Sequence, residues 1–275
     1  MASPGATPIV YLTRVLCCNA FMSDPLDGAF ARLDRAYLHL KELEERIEDF
    51  RKEHYDEIIA QQKASAREYG FEGSALFNRQ PLFDVPVSLP IITGEVIYNL
   101  RSAMDYVVYE LARRDSGSWR AGTQFIVEDR KFDPKNPNRG FDGRAKSCLA
   151  GLDQRHIAMI ESYQPYKGVT WAKSLVDISN PDKHRRLTAV EGRFSAEVGT
   201  TIPFGTSFPG APESDELTVT TGSSFGEPDV KIDLEYTIEV ALPDGRPLVA
   251  TLQYLASEVG KLLVEFKPEF ERTSR

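Results

Sequence analysis

The sequence feature that most constrains the fold is a long amphipathic repeat near the amino end. From residue 24 to residue 69, apolar side chains recur at three- and four-residue steps and form one stripe, made of Leu26, Phe30, Leu33, Tyr37, Leu40, Leu43, Ile47 and Phe50. Asp24 and Pro25 suit the first turn of a helix, and Gly70 suits its carboxyl end. Such a helix would extend for about 69 Å at 1.5 Å per residue. We therefore expect either a break near His54 or a protruding end that a partner helix covers.

Four further helices are predicted from patterns of the same kind. Residues 91–114 carry an apolar face and are expected to pack antiparallel against the first helix as a bundle hairpin. Shorter helices are expected within residues 144–163 and over residues 169–180, the latter broken at Asn180-Pro181. A last helix is expected over residues 247–266. These segments predict an antiparallel helical bundle.

The apolar period changes before the last helix. From residue 230 to residue 240, apolar and polar side chains alternate, which is typical of a half-buried strand, and residues 187–194 and 217–221 are its expected partners. The sequence thus predicts an α+β protein with a small antiparallel β-sheet inserted before the C-terminal helix. The expected divisions are a disordered tail or upstream extension (1–21), a helical bundle (22–186), an antiparallel β unit (187–246) and a C-terminal helix that packs back on the bundle (247–270).

Composition limits the classes of function. The chain has 275 residues, a formal net charge of −8 and 41% hydrophobic residues, which favours a soluble globular protein and disfavours a general nucleic-acid-coating role. No uncharged apolar stretch reaches the ~20 residues of a membrane helix. Cys17, Cys18 and Cys148 lack the spacing of a metal or disulfide framework. We therefore expect a cytoplasmic protein without membrane contact, and we predict no metal and no cofactor.

The residues that point most directly to chemistry lie on the second predicted helix. Arg101 and Asp105 are one turn apart and can form an ion pair, whereas Asn99 and Tyr106 share the opposite flank. Polar groups that border an apolar stripe are usually partly buried and need partners. These residues either lock the packing of the helix or belong to a ligand site.

The run from Asn99 to Asp105 (Asn-Leu-Arg-Ser-Ala-Met-Asp) resembles a helix of a bacterial helical family and is similar to the HEPN superfamily of helical domains. Ribonuclease members of that superfamily carry an Arg, a polar residue and, a few positions later, a His that handles protons while the Arg steadies the phosphate. Arg101 and Ser102 match the first two positions, and Tyr106 stands in place of the His. A phenol titrates near pH 10 and an imidazole near pH 6.5, so Tyr106 is a poor base. The resemblance therefore implies a non-catalytic binding or regulatory module, and the overlong first helix predicts that it works as a homodimer.

A second polar run, Asn180-Pro181-Asp182-Lys183-His184-Arg185-Arg186, follows the fourth predicted helix. The same bacterial family carries a similar run, and His184 would replace the missing imidazole if the fold brought it near Arg101. The alternatives to the binding module are then a metal-independent ribonuclease acting on RNA, or a nucleotide- or phosphate-binding protein. The structural alternative is a capped turn with its cations in solvent. The candidate catalytic residues are Arg101, Tyr106 and His184, and the candidate ligand-binding residues are Asn99, Asp105, Asp182, Lys183 and Arg185.

From their positions in the predicted helices, we expect His39 and His156 to have no catalytic role. His39 is expected at the edge of the first helix's apolar stripe. His156 lies in the first turn of a short helical stretch that Asp153 is able to cap, and we expect it to be solvated.

Overall fold

The computed structural model describes five stretches of the chain, which are residues 24–68, 82–118, 121–183, 191–201 and 231–271. Within them the helices are α1 (Asp27–Glu68), α2 (Ser88–Ser116), α3 (Gly140–Cys148), α4 (Gln154–Ser162), α5 (Thr170–Lys183) and α6 (Leu248–Glu271). The strands are β1 (Leu82–Phe83), β2 (Glu191–Thr201) and β3 (Lys231–Ala241). The predicted tail, residues 1–21, lies outside the described residues.

The core lies between α1, α2 and α6, and the predicted helical bundle is confirmed. Each of these helices buries one apolar stripe, as the spacing of its large side chains requires. The buried side chains include Leu26, Leu33, Leu40 and Leu43 of α1, Leu89, Leu100, Met104 and Leu111 of α2, and Leu255, Leu262, Leu263 and Phe266 of α6. Burying one such side chain stabilises the fold by about 1.5–3 kcal/mol, so these stripes are the main force that joins the helices.

Helix α1 does not break at His54. It continues for 42 residues from Asp27 to Glu68, which corresponds to about 63 Å. Among its described side chains, none beyond Phe50 is buried, and the Phe50 ring contacts the His54 ring at 4.9 Å between centroids. The predicted break is therefore wrong, and the second alternative, a helix that extends past its own core, describes α1.

The other helix boundaries differ from the prediction at two points. The single helix expected within residues 144–163 is two helices, α3 and α4, because Gly151 lies between them in the left-handed region with φ +95°. A Cβ atom at Gly151 would lie 2.8 Å from Ser116 Oγ, so the turn also needs the absence of a side chain. Helix α5 continues through Pro181 to Lys183, so the predicted break at Asn180-Pro181 is wrong. The proline removes one backbone hydrogen bond, the one to the Asp177 carbonyl oxygen, and only two helical residues follow it.

Strand β2 pairs antiparallel with β3, with Glu191 opposite Ala241 at one end and Thr201 opposite Lys231 at the other. The two-residue strand β1 lies on the other side of β2, with Leu82 opposite Arg193. The prediction placed the antiparallel sheet within residues 187–246, and β1 departs from it because a strand this short has no alternation that a sequence pattern could reveal. A further short strand predicted over residues 124–127 is wrong, since these residues are not part of a strand. Residues 217–221, another predicted strand, lie outside the described residues.

The end of β3 joins the strands to the bundle. Val240 and Ala241 are buried, and Val240 belongs to the same apolar core as the helices. In the parts of the chain that the structure describes, no helix combines the length and the apolarity that crossing a bilayer requires.

Candidate functional site

Arg101 and Asp105 of α2 hold the peptide groups of Phe125. Arg101 Nη2 donates a hydrogen bond to the Phe125 carbonyl oxygen at 3.1 Å, and the Phe125 N–H donates to Asp105 Oδ1 at 2.8 Å. The two side chains are themselves 4.0 Å apart, between Nη2 and Oδ1. Phe125 is buried in an extended segment that is not part of a strand, so its backbone groups need partners from elsewhere. The predicted ion pair thus serves as a clamp on this segment.

The guanidinium of Arg101 is only partly satisfied by the clamp. Burial lowers the pKa of Arg101, the charge of Asp105 opposes this shift, and the nearby cation Arg144 adds to it. Among the described residues, Arg101 Nη1 is buried without a hydrogen-bond partner. The clamp therefore leaves one buried donor unsatisfied among the described residues, which costs part of the stability that the clamp provides.

Asn99 and Tyr106 face α1 on the opposite flank of α2. Arg32 Nη1 of α1 donates to Asn99 Oδ1 at 3.3 Å, and Asn99 Nδ2 donates to the carbonyl oxygen of Glu95 at 2.8 Å. The Arg32 guanidinium lies 5.9 Å from the ring centre of Tyr106 and 5.7 Å from that of Tyr98. The structure therefore places Tyr106 with Arg32 and Arg101 with Phe125, and these two candidate catalytic residues contact different partners.

An open groove of about 430 Å³ lies between α1 and α2 beside Asn99. Its charged lining consists of Arg32 and Arg35 against Glu42 and Glu95, so the formal charges cancel when His39 is neutral. Two of the eight large apolar side chains exposed in the described part of the chain, Ile91 and Tyr98, line this groove. We call this surface the α1–α2 face.

The second predicted cluster falls mostly beyond what the structure describes. Asp182 and Lys183 lie in the last turn of α5, and His184 and Arg185 lie outside the described residues. The roles predicted for these four residues, and the convergence of His184 with Arg101, stay predictions.

Cys148 lies next to the clamp, in a polar pocket that its sequence position does not reveal. Gln124 Nε2 and Arg144 Nη2 donate hydrogen bonds to its Sγ at 3.4 and 3.8 Å, and Ser147 Oγ lies at 3.7 Å. Burial by itself raises the pKa of the Cys148 thiol, but these contacts and the charge of Arg144 outweigh it and hold the pKa below its usual value.

His156 is buried between two carboxylates, so the expectation that it is solvated is wrong. Its Nδ1 lies 2.5 Å from Asp115 Oδ2, and its Nε2 lies 3.4 Å from Glu269 Oε2. Arg155 Nη2 donates to the other oxygen of Glu269 at 2.5 Å, and the Asp153 N–H donates to Asp115 Oδ2 at 2.8 Å. We call this group the His156 cluster; it joins the ends of α2 and α6 to the start of α4.

The sequence holds one signal for this cluster. Leu262, Phe266 and Glu269 follow one another at steps of four and three residues, so an acid occupies a position on the buried stripe of α6. A buried carboxylate requires a partner, and His156 and Arg155 are the partners that the fold provides.

The chain matches no family model, no curated protein and no solved structure. The relationship to the HEPN superfamily stays the prediction made from Asn99 to Tyr106. What the protein does is therefore inferred from the contacts described above.

Proposed function

We propose that the chain is a HEPN-like α+β protein, a helical bundle with a small antiparallel β unit, that acts as a non-catalytic binding or regulatory module. The observation that supports this most strongly is the clamp. Arg101, which would steady a phosphate in a ribonuclease, donates to the Phe125 carbonyl, and Asp105 accepts from the same residue's N–H. A side chain that holds a buried backbone group is not free to follow a reacting phosphate.

Tyr106 supports the same proposal. Its ring lies against Arg32, on the flank of α2 that faces α1 and away from Phe125. General acid–base catalysis works best with a group whose pKa is near the working pH, and a phenol does not meet this condition. Tyr106 is therefore not placed to transfer a proton at the group that Arg101 contacts.

The test is incubation of the full chain with mixed RNA in EDTA, alongside Arg101→Ala, His184→Ala and Arg113→Ala. Arg113 is the matched control, since it lies on the same helix, is exposed and pairs only with Glu110 among its described hydrogen bonds. We expect no cleavage by any of the four proteins. Cleavage by the wild type and by Arg113→Ala, lost in the other two variants while they remain folded, would establish the ribonuclease alternative instead.

We infer that the module's partner is a second copy of the chain, docked through the α1–α2 face. A chain with net charge −8 repels its copies over most of its surface, whereas the charged lining of this face sums to zero. Under a two-fold axis, Arg35 of one copy is able to meet Glu42 or Glu95 of the other, and the exposed apolar side chains are covered.

Size-exclusion chromatography with light scattering tests the dimer. We expect about twice the 30.8 kDa chain mass for the wild type and for Val264→Asp, and the monomer mass for Ile91→Asp. Val264 is the matched control, because it is an exposed aliphatic residue of α6 that does not line the groove. A wild-type mass of one chain at every concentration would refute the dimer without affecting the binding-module proposal.

Nucleotide or phosphate binding is a second candidate, supported by Arg101 Nη1, which has no hydrogen-bond partner among the described residues, and by the neighbouring charge of Arg144. Two neighbouring guanidinium groups repel each other, and an anion between them would accept hydrogen bonds from both. A thermal-shift series with inorganic phosphate and with nucleoside mono- and diphosphates tests this candidate. A rise in Tm that Arg113→Ala retains and Arg144→Gln loses would support it, and equal behaviour of the two variants would reject it.

A further inference from the structure

We propose that Asp115, Asp153 and His156 form a site for one divalent transition-metal ion. The site is independent of the proposed function: Asp115 follows Arg101 by 14 positions on α2, or about 21 Å along the helix axis. Asp115 lies in the last turn of α2, Asp153 precedes α4, and His156 lies in its first turn. Their potential ligand atoms, one imidazole nitrogen and two carboxylate oxygens, all lie within 4.8 Å of one another.

The ring of His156 is oriented for this role by a second carboxylate. Its Nδ1 faces Asp115, while its Nε2 faces Glu269, which is itself held by Arg155. Metal-binding histidines almost always donate their other ring N–H to such an acceptor, which fixes the tautomer and the direction of the ligating lone pair. Binding needs the lone pair of Nδ1, so the ring proton has to be on Nε2, where Glu269 accepts it.

The charges of the cluster also favour a divalent cation. Arg155 offsets Glu269, so with a neutral imidazole the carboxylates of Asp115 and Asp153 contribute two uncompensated negative charges. The side chains of Asp115 and His156 are only 3% and 4% exposed, which raises the cost of leaving charge there unbalanced. One M²⁺ ion balances the two carboxylates.

The site is reachable and needs only a small adjustment. Asp153 is exposed, so an ion enters from solvent along its carboxylate and reaches the buried pair. The 2.5 Å between His156 Nδ1 and Asp115 Oδ2 is a hydrogen-bond distance. Two ligands bonded at 2.0–2.2 Å to a tetrahedral ion lie about 3.3 Å apart, so the pair has to separate by about 0.8 Å.

The donor set selects the metal. One imidazole and two carboxylates suit Zn²⁺, Co²⁺ and Mn²⁺, whereas Ca²⁺ and Mg²⁺ prefer oxygen ligands alone. The probes are therefore these metals added singly to the full chain, stripped with EDTA, dialysed and free of any affinity tag. We expect saturable 1:1 binding of Zn²⁺ and Co²⁺ by calorimetry, visible absorption bands from bound Co²⁺, and a higher Tm with either metal.

Asp153→Asn is the decisive variant. Asn is as good a helix N-cap as Asp, and the Asp153 side chain makes no capping hydrogen bond, so the metal-free Tm should not change. We expect its Zn²⁺ affinity to fall by no less than about 10-fold, the loss typical of removing even an outer-sphere partner of a metal ligand. Asp129→Asn, which alters an exposed carboxylate away from the cluster, should bind like the wild type.

Two results would overturn the site. One is a wild type that shows no saturable Zn²⁺ or Co²⁺ binding. The other is Asp153→Asn binding as tightly as the wild type, with the Co²⁺ bands unchanged, because adventitious binding at Cys or His elsewhere would give that pattern. Glu269→Gln adds a readout for positioning: it should weaken Zn²⁺ binding about 10- to 100-fold while retaining the 1:1 stoichiometry.

Discussion

The clamp and the His156 cluster are two groups of charged residues that both include a carboxylate of α2, and they differ in burial and in the number of helices that they join. The clamp joins two residues of one helix to a neighbouring loop, and its side chains are 11% (Arg101) and 38% (Asp105) exposed. The cluster joins three helices, and the side chains of Asp115, His156 and Glu269 are 5% exposed or less. Water therefore compensates a broken clamp in part and a broken cluster hardly at all.

This difference predicts which of the two charged groups contributes more to stability. Removing one member of a buried, paired group leaves an uncompensated charge in the interior, whereas a group with access to solvent is able to exchange partners. The clamp also contains Arg101 Nη1, a buried donor without a hydrogen-bond partner in the described part of the chain, which lowers what the clamp contributes to stability.

The largest expected effect is that of Asp115→Ala in the His156 cluster. The change removes the partner of His156 Nδ1 and the acceptor of the Asp153 N–H, so we expect a loss of about 3–5 kcal/mol in the free energy of unfolding. Urea denaturation of metal-free protein measures it. Asp115→Asn is the matched variant, since its amide oxygen still accepts from Asp153, and it should lose less. A loss below about 1 kcal/mol for Asp115→Ala would show that the two groups do not differ as their burial indicates.

The second prediction concerns the clamp. Arg101→Ala and Asp105→Ala each leave one buried backbone group of Phe125 without its partner, and each should cost about 1–3 kcal/mol of unfolding free energy. The double variant should cost less than the sum, because both act on one residue. Arg113→Ala is the control and should lie within about 0.5 kcal/mol of the wild type. Additive losses would show that the two side chains do not work as one device.

The sequence predicted the Arg101–Asp105 pair of the clamp, but neither its contact with Phe125 nor the His156 cluster, and the reason is physical. Arg101 and Asp105 are one helical turn apart, so their pairing follows from spacing alone. The members of the cluster come together only after α2, α4 and α6 have packed, with 113 positions between His156 and Glu269. Local patterns predict which face of a helix is buried, and they do not say which helix covers it.

In the fold, too, the features set by local spacing were predicted and those set by tertiary packing were not. The apolar stripes of α1, α2 and α6 were predicted, because a buried face repeats every three or four residues. The split at Gly151 was not, since the left-handed turn and the close approach of Ser116 are set by tertiary packing. The continuity of α1 past His54 was one of two alternatives, because spacing limits where a helix has a core and not where it ends.

The third prediction concerns the Cys148 thiol next to the clamp, and it tests whether the positive charge of Arg144 lowers the pKa of that thiol. Arg144→Gln removes a positive charge beside the Cys148 thiol and the hydrogen bond that Arg144 donates to it, so the pKa of the thiol should rise. Thiolate absorbance against pH, in a protein that also carries Cys17→Ser and Cys18→Ser, measures this pKa. The pKa is lowered in the folded state, so the contribution of Cys148 to stability is full above the usual thiol pKa and is lost as the pH falls through the lowered value. Lys146→Gln, an exposed neighbour, should leave the titration unchanged. An unchanged pKa in Arg144→Gln would show that the charge near the clamp does not act on Cys148.

The smallest expected effect is that of Glu161→Gln. It tests whether the burial of a charged group, rather than its position on α4, determines how much it contributes to the free energy of unfolding. Glu161 is on the same helix as His156, near its other end. Burial raises the pKa of Glu161, but the hydrogen bond from Lys131 and the charges of Lys131 and Lys167 outweigh this and hold the pKa below its usual value. Its contribution is therefore present above the ordinary pKa of a glutamic acid and is lost as the pH falls through the lowered value. Glu161→Gln should slightly reduce the loss of stability as the pH falls below 4.5, because its lysine partners are about half exposed and such pairs contribute little. If Glu161→Gln changed stability as much as Asp115→Ala, the attachment of α4, and not exposure to water, would determine how much these charged groups stabilise the fold.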